Sequence, residues 1–255
     1  MSRVLVTGAS KGIGRAIVRE LAARGHDVVA TARNVATLED LPAVTRLALD
    51  VTDQESVDKA IAAAGELDVL ISNAGETLRA PAESVPLTEV SRLFELNTVG
   101  SLRVAQAVLP AMRARGGGRL LFVSSITGRA VVPLGGAYAA SKWALEALAE
   151  AIAIEAGHFG VKVTLLEPGA VSSGGSERAA TLLADDDPYL PLARQLAAAR
   201  GETITVEEVA QATADALENP DPPLRLPVGK PAITLLAARH AAADDVPFLV
   251  GPLRW

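Results

Sequence analysis

Six short apolar runs rich in β-branched residues recur along the chain: RVLVT (3–7), DVVATA (27–32), AVTRLAL (43–49), DVLIS (68–72), RLLFVS (119–124) and VKVTLL (161–166). They are continuously apolar rather than alternating, which is the signature of strands buried on both faces of a parallel sheet. Between them lie segments of helical period at about 13–24, 53–64, 87–114 and 136–157. Parallel strands joined through helices require right-handed crossovers, so the pattern predicts an α/β fold with an open, doubly wound parallel sheet and helices on both faces. In such sheets ligands bind beyond the carboxyl ends of the strands, and that is where chemistry is expected. No repeat or low-complexity linker divides residues 1–255, which predicts a single domain. The irregular stretch 170–203 and the proline-rich NPDPPLRLP at 219–227, which opens a C-terminal extension over 219–255, look like excursions from it.

Composition narrows the function classes. A chain of 255 residues with 49% hydrophobic content can bury a large core. Its formal net charge of −6 argues against a general nucleic-acid or anionic-membrane surface and leaves room for a local basic pocket. The absence of cysteine excludes a disulfide framework, a thiolate metal site and a cysteine nucleophile, and the three histidines show no metal-ligand spacing. The start MSRVLVTGAS has no long apolar segment, and no later run reaches the length of a membrane span, so a soluble cytoplasmic protein is expected.

At the end of the first run stands TGASKGIG (7–14), where Gly8, Gly12 and Gly14 leave no side chain between the backbone and an approaching ligand. The helix that follows offers its N-terminal amides and positive dipole end to a pyrophosphate, although a glycine-rich loop is also ordinary turn chemistry. A second stretch, YAASK (138–142), spaces one of the chain's two tyrosines four residues before a lysine. On a helix those positions share a face about 6 Å apart, so the ammonium of Lys142 is placed to lower the pKa of the Tyr138 phenol. Taken alone, the string also describes an aromatic packed at a helix start beside a solvated lysine.

Together with LDV around Asp50, NAG at 73–75, Asn97 in ELNTVGS, the serine pair 124–125 and PG at 168–169, these motifs stand in an order and spacing that resemble the short-chain dehydrogenase/reductase family over residues 3 to about 173. The resemblance implies a Rossmann-type fold, with 170–203 as a substrate loop or lid. It implies that Tyr138 is the general acid toward a carbonyl oxygen, that Lys142 assists it and hydrogen-bonds the nicotinamide ribose, and that Ser125 polarises the substrate. Asn97 would hold a water that passes protons to Lys142. Its other reading is a buried amide bonded to the helix backbone. Cofactor contacts would fall on Gly8, Ser10, Lys11, Gly12, Ile13 and Gly14, on Asp50 and Val51 beside the adenine, and on Asn73, Ala74 and Gly75 along the ribose. Pro168, Gly169, Val171 and Ser173 would lie near the nicotinamide.

Charge at the second run bears on which cofactor binds. An NAD-selective site usually carries an acid there, but this chain has Ala32 followed by Arg33, with Lys11 inside the glycine loop. Two cations facing one 2′-phosphate predict NADP(H), the alternative being that Arg33 is a solvated surface residue. Apolar loops at 128–136 and 182–196, with the turn from Glu76, favour an apolar or cyclic ketone or alcohol, though their apolarity equally suits packing on the core. Tyr189 is expected to be a lid or packing residue. The ending PPLRLPVGKPAITLLAARH is more similar to the steroid and retinol dehydrogenase-like branch than to the 3-oxoacyl-carrier-protein reductases, which weakens a tetramer. Apolar positions Leu93, Leu96, Val104, Val108, Trp143, Leu145 and Leu148 suit either a homodimer or packing on the sheet. The expected activity is NADPH-dependent carbonyl reduction or its reverse. A non-catalytic NADP sensor or scaffold on the same fold, and an isomerase or dehydratase with bound nicotinamide, stay open.

Overall fold

The computed structural model describes residues 1–172, 180–199 and 201–248; Ser173 lies outside them. Seven strands form the main sheet: β1 (Arg3–Val6), β2 (Asp27–Ala32), β3 (Thr45–Ala48), β4 (Val69–Ser72), β5 (Gly118–Val123), β6 (Val161–Pro168) and β7 (Arg225–Val228). The helices are α1 (Gly12–Ala23), α2 (Gln54–Ala64), α3 (Leu87–Phe94), α4 (Gly100–Ala114), α5 (Gly136–Gly157), α6 (Leu190–Ala198), α7 (Val206–Glu218) and α8 (Lys230–Ala241). Every neighbouring pair of strands is parallel, in the order β7-β6-β5-β4-β1-β2-β3. The chain therefore winds outward from β1 in one direction and then returns to place β4 on its other flank. The loops after β1 and β4 diverge at that point, and a crevice opens between them.

The continuous apolar runs bury on both faces. On one face Val4, Val6, Val28 and Ala30 pack with Ile17, Val18 and Leu21 of α1 and with Val209, Ala214 and Leu217 of α7. On the other, Leu5, Leu70, Leu120 and Phe122 pack with α2, α4 and α5. Leu93, Val104, Val108 and Leu145, which suited either a dimer or the sheet, are buried within this chain's own core, whereas Trp143 stays exposed. Caps fix where two of the helices begin. The Asp53 carboxylate accepts from the Glu55 amide at 3.0 Å, and Thr205 and Glu208 form a reciprocal capping box at 3.1 and 2.7 Å.

Two features depart from the sequence pattern. The proline-rich stretch at 219–227, read as an excursion, carries the seventh strand: Leu226 and Pro227 pair with Leu166 and Glu167. Pro227 is tolerated because β7 is an edge strand with a partner on one side only, so its missing N–H leaves no ladder bond unmade on the open side. The segment 87–114, read as one helix, is broken by a π-helical turn at Glu95–Val99. Such turns are wider than an α-turn and cluster at functional sites. This one carries Asn97 into the interior, fully buried. Among the described residues no helix is long and apolar enough to cross a membrane.

Candidate active site

The crevice at the switch point is a cavity of about 500 Å³. One side is the glycine turn. Gly8 sits at φ +68°, and a Cβ there would lie 2.9 Å from Ala74 Cα; a Cβ on Gly14 would lie 2.4 Å from the Gly8 carbonyl oxygen and from Asn73 Nδ2. Both positions therefore require glycine, and the turn is stripped of side chains where β1 meets α1. Thr7 stitches it to the loop after β4: its hydroxyl accepts from the amides of Asn73 at 2.9 Å and Ala74 at 3.0 Å. Asn73 Nδ2 returns a bond to the Thr7 carbonyl at 2.9 Å.

Most of the sequence-predicted cofactor residues line this one cavity: Gly8, Ser10, Lys11, Gly12, Ile13, Gly14, Arg33, Asp50, Val51, Asn73, Ala74, Gly75, Tyr138, Lys142 and Val171. Pro168 and Gly169 lie at the carboxyl end of β6 and are not among the lining residues. At the adenine end, Lys11 and Arg33 are exposed and Ala32 is buried, with no acid at the end of β2. Asp50 accepts from the Thr52 amide at 3.0 Å and hydroxyl at 2.7 Å. Burial works upward on this carboxyl, but the Thr52 bonds and the charges of Arg33 and Arg103 outweigh it and hold it below its ordinary value.

Tyr138 and Lys142 stand on the first turns of α5, with Lys142 Nζ 6.0 Å from the Tyr138 ring centroid. The phenol is pushed above its ordinary value by burial, against which the hydroxyls of Ser125 and Thr127 act. Lys142 lies beside the phenol, as the spacing in YAASK predicts. Its ammonium donates to the Val123 carbonyl at 2.8 Å and is itself pushed down by burial to about 8, with Glu146 acting in the opposite sense. Ser125 caps a 3₁₀ turn at Ile126–Gly128, its hydroxyl accepting from the Thr127 amide at 3.2 Å. That turn follows β5 directly, which is how a strand end delivers the serine to the phenol.

Asn97 is buried, and its amide bonds to a loop and to a side chain of α5 rather than to its own helix backbone. Its Oδ1 accepts from the Glu76 amide at 2.9 Å, and its Nδ2 donates to the Glu76 carbonyl and to Ser141 Oγ, each at 3.0 Å. Both amide protons are thus committed to tying the loop after β4 to α5. A Cβ on Gly75 would lie 2.9 Å from Asn97 Oδ1 and 3.7 Å from Lys142 Nζ, so glycine keeps the space between them open.

The three segments read from sequence as substrate walls are hydrogen-bonded into one rim. Ala80 N–H donates to the Leu134 carbonyl at 2.8 Å, Leu182 N–H to the Arg79 carbonyl at 2.8 Å, and Leu78–Arg79 pairs with Ala180–Thr181. Leu134 adopts φ 61°, a conformation that costs a branched residue about 1–2 kcal/mol. Tyr189 has no lysine partner and instead donates to Glu83 at 2.5 Å, latching the N-terminus of α6.

Sequence reasoning missed Thr7 and Ser141 as anchors, and it missed the buried carboxyls Glu146 and Glu167. Glu146 was legible as the next residue in the Tyr138–Lys142 stripe, and Glu167 as a charge inside an apolar strand.

A crevice edged by a glycine turn at the switch point of a seven-stranded parallel sheet defines a Rossmann-type fold. The family model for short chain dehydrogenases matches residues 2–181, and the chain belongs to that family of oxidoreductases. It lies closer to the steroid and retinol dehydrogenase-like branch. It is 34% identical to retinol dehydrogenase 8 of Homo sapiens, over 87% of this chain and 79% of that one. It is 34% identical to 17-beta-hydroxysteroid dehydrogenase type 1 of Homo sapiens, over 87% and 76%. A short chain dehydrogenase from Burkholderia cenocepacia J2315, solved in complex with NADP, superposes with a TM-score of 0.79 at 26% identity, over 94% of this chain and 93% of that one.

Proposed function

We propose that the protein is an NADP(H)-dependent carbonyl reductase, or an alcohol dehydrogenase in reverse, acting on an apolar or cyclic ketone or secondary alcohol. The observation that carries this reading is that Tyr138 and Lys142 line the same cavity as the glycine turn, with the Ser125 hydroxyl acting on the phenol. The crevice suits a dinucleotide, since Gly8, Gly12 and Gly14 keep the turn tight and open where it lines the cavity, and the N-terminus of α1 would hold its phosphates. When bound, the cofactor supplies the hydride.

Each remaining task falls to a residue of this chain. Tyr138 holds the proton that its Oη gives to the substrate oxygen, and takes it back in the oxidative direction. Ser125 donates a hydrogen bond to the same oxygen and polarises the carbonyl. Lys142 places a positive charge beneath the phenol and offsets the negative charge that appears when the proton leaves. Asn97 fixes the loop that flanks Lys142. Arg33 and Lys11 hold the 2′-phosphate, and the related structure in complex with NADP supports this preference. The exposed Val131 and Leu182 lie on loops of the rim and favour an apolar substrate.

Loss of NADPH absorbance against a panel of cyclic, aromatic and long-chain ketones tests the reading. Turnover is expected, with the reductive rate falling as pH rises through about 8, where Lys142 loses its charge. Cofactor binding without turnover of any carbonyl compound would overturn it in favour of a sensor. Assembly as a homodimer through the surface of α5 that carries the exposed Trp143 goes with this function. A light-scattering mass of two chains is expected, and a mass of one chain refutes it.

A further inference from the structure

Behind the catalytic face of α5 lies a buried cluster of acids and arginines that the proposed reaction does not use. Tyr138, Lys142, Glu146 and Glu150 follow one another at intervals of four on that helix. Lys142 and Glu146 are both buried, and so is Glu167 near the end of β6, one residue before Pro168. Arg225 on β7 reaches across: its Nε donates to Glu146 Oε2 at 2.9 Å and its Nη2 to Glu150 Oε2 at 2.7 Å. The same Nε lies 3.9 Å from Glu167 Oε1, and Arg129 Nη1 lies 3.7 Å from that oxygen. Both distances exceed a hydrogen bond, and Glu167 Oε1 has no hydrogen-bond partner in the protein; neither has Glu146 Oε1. Two carboxyls crowd one guanidinium nitrogen, and only one of them is hydrogen-bonded to it.

We propose that Glu146 is a positioning residue for Lys142: its carboxylate, pinned by Arg225, keeps the buried ammonium charged, while Glu167 carries the proton that the two crowded acids cannot both release. The inference rests on the reading of Lys142 as a working group of the site.

The charges facing each member support this division. Lys142 sees Glu146, which lies one helical turn further on and opposes the effect of burial. Glu167 is pushed up to about 7, first by burial and then by the charge of Glu146, while Arg129 and Arg225 pull the other way. Glu150, more exposed, is held below its ordinary value by its bond to Arg225 and takes up the outer edge of that guanidinium. An isolated buried carboxylate is expensive, and a buried pair that shares one proton halves the charge to be compensated.

Two measurements that need no turnover test this. The first is thermal unfolding of the wild type and Glu167→Gln between pH 4.5 and 7.5. The folded carboxyl titrates near 7 against 4.5 when unfolded, so the folded chain binds the extra proton in that window and Glu167 lowers stability as pH rises through it. Glutamine removes the fall, so the melting temperature of the variant relative to wild type is expected to rise by about 3 °C or more across the window. A gap that stays constant with pH overturns the shared proton. The second is the titration of Lys142 Nζ by NMR of isotope-labelled lysine in the holoenzyme. Glu146→Gln is expected to lower its midpoint by about one unit, the scale for removing a neighbouring opposite charge, and Glu146→Asp to restore it. An unmoved midpoint in Glu146→Gln overturns the positioning role, and if that variant fails to fold, the Glu146→Asp titration and the Glu167 measurement still decide. An inactive enzyme with both titrations as expected would refute the proposed reaction and leave the cluster standing.

Discussion

Tyr138→Phe is expected to reduce carbonyl turnover by about 10²–10⁴-fold, the range for losing a positioned general acid, while leaving the affinity for the dinucleotide within about threefold of wild type. The substitution removes one oxygen and little else. The ring keeps its place on the first turn of α5, and Lys142 Nζ, 6.0 Å from its centroid, keeps its bond to the Val123 carbonyl. What goes is the proton donor and the group on which the Ser125 and Thr127 hydroxyls act. The Ser125 hydroxyl remains able to polarise a bound carbonyl, so a residual rate survives through it. Steady-state rates at saturating NADPH, with the dissociation constant from fluorescence titration, separate the two effects. A variant that retains more than about a third of the wild-type rate would remove Tyr138 from the chemistry. One that fails to bind the dinucleotide would make it a structural residue of the cleft.

How much of this was legible in the sequence depends on how far each feature is encoded locally. The six continuous apolar runs gave six of the seven sheet strands because burial on both faces imposes an unbroken pattern on the residues themselves. Gly8 and Gly14 were legible for the same reason: the turn requires them at their own positions. Arg225–Val228 was not, because four residues containing a proline carry no strand signal of their own and pair only where β6 offers an edge. The π-helical turn at Glu95–Val99 was hidden because its cause is tertiary: it places Asn97 where Glu76 and Ser141 satisfy its amide. The burial that shifts Tyr138 and Lys142 was not legible for a related reason. Spacing along a helix gives proximity, whereas burial decides which charges survive, and in this chain burial acts on the phenol and the amine alike.

The cofactor end of the crevice leads to the other large expected effect. Arg33→Asp is expected to weaken NADPH binding by about 10²–10³-fold while leaving NADH binding unchanged or tighter, because two charge-assisted hydrogen bonds are worth about 3 kcal/mol or more and each 1.4 kcal/mol is a factor of ten. Position 33 is exposed at the end of β2 and lines the cavity with Lys11, so the side chain can turn toward a 2′-phosphate without repacking the core. Ala32 beside it is buried and offers no carboxylate to a ribose 2′-hydroxyl, so the wild type lacks the partner that an unphosphorylated ribose would use. Aspartate reverses both conditions at once: it repels the phosphate and supplies the missing acceptor. Because the phosphate contact is between exposed charges, the NADPH affinity of the wild type should also fall with added salt, and that slope should flatten in the variant. Titrations with both dinucleotides at two ionic strengths check this. Equal wild-type affinity for NADH and NADPH, or an Arg33→Asp variant that still prefers NADPH, would mean that Arg33 does not read the 2′ position.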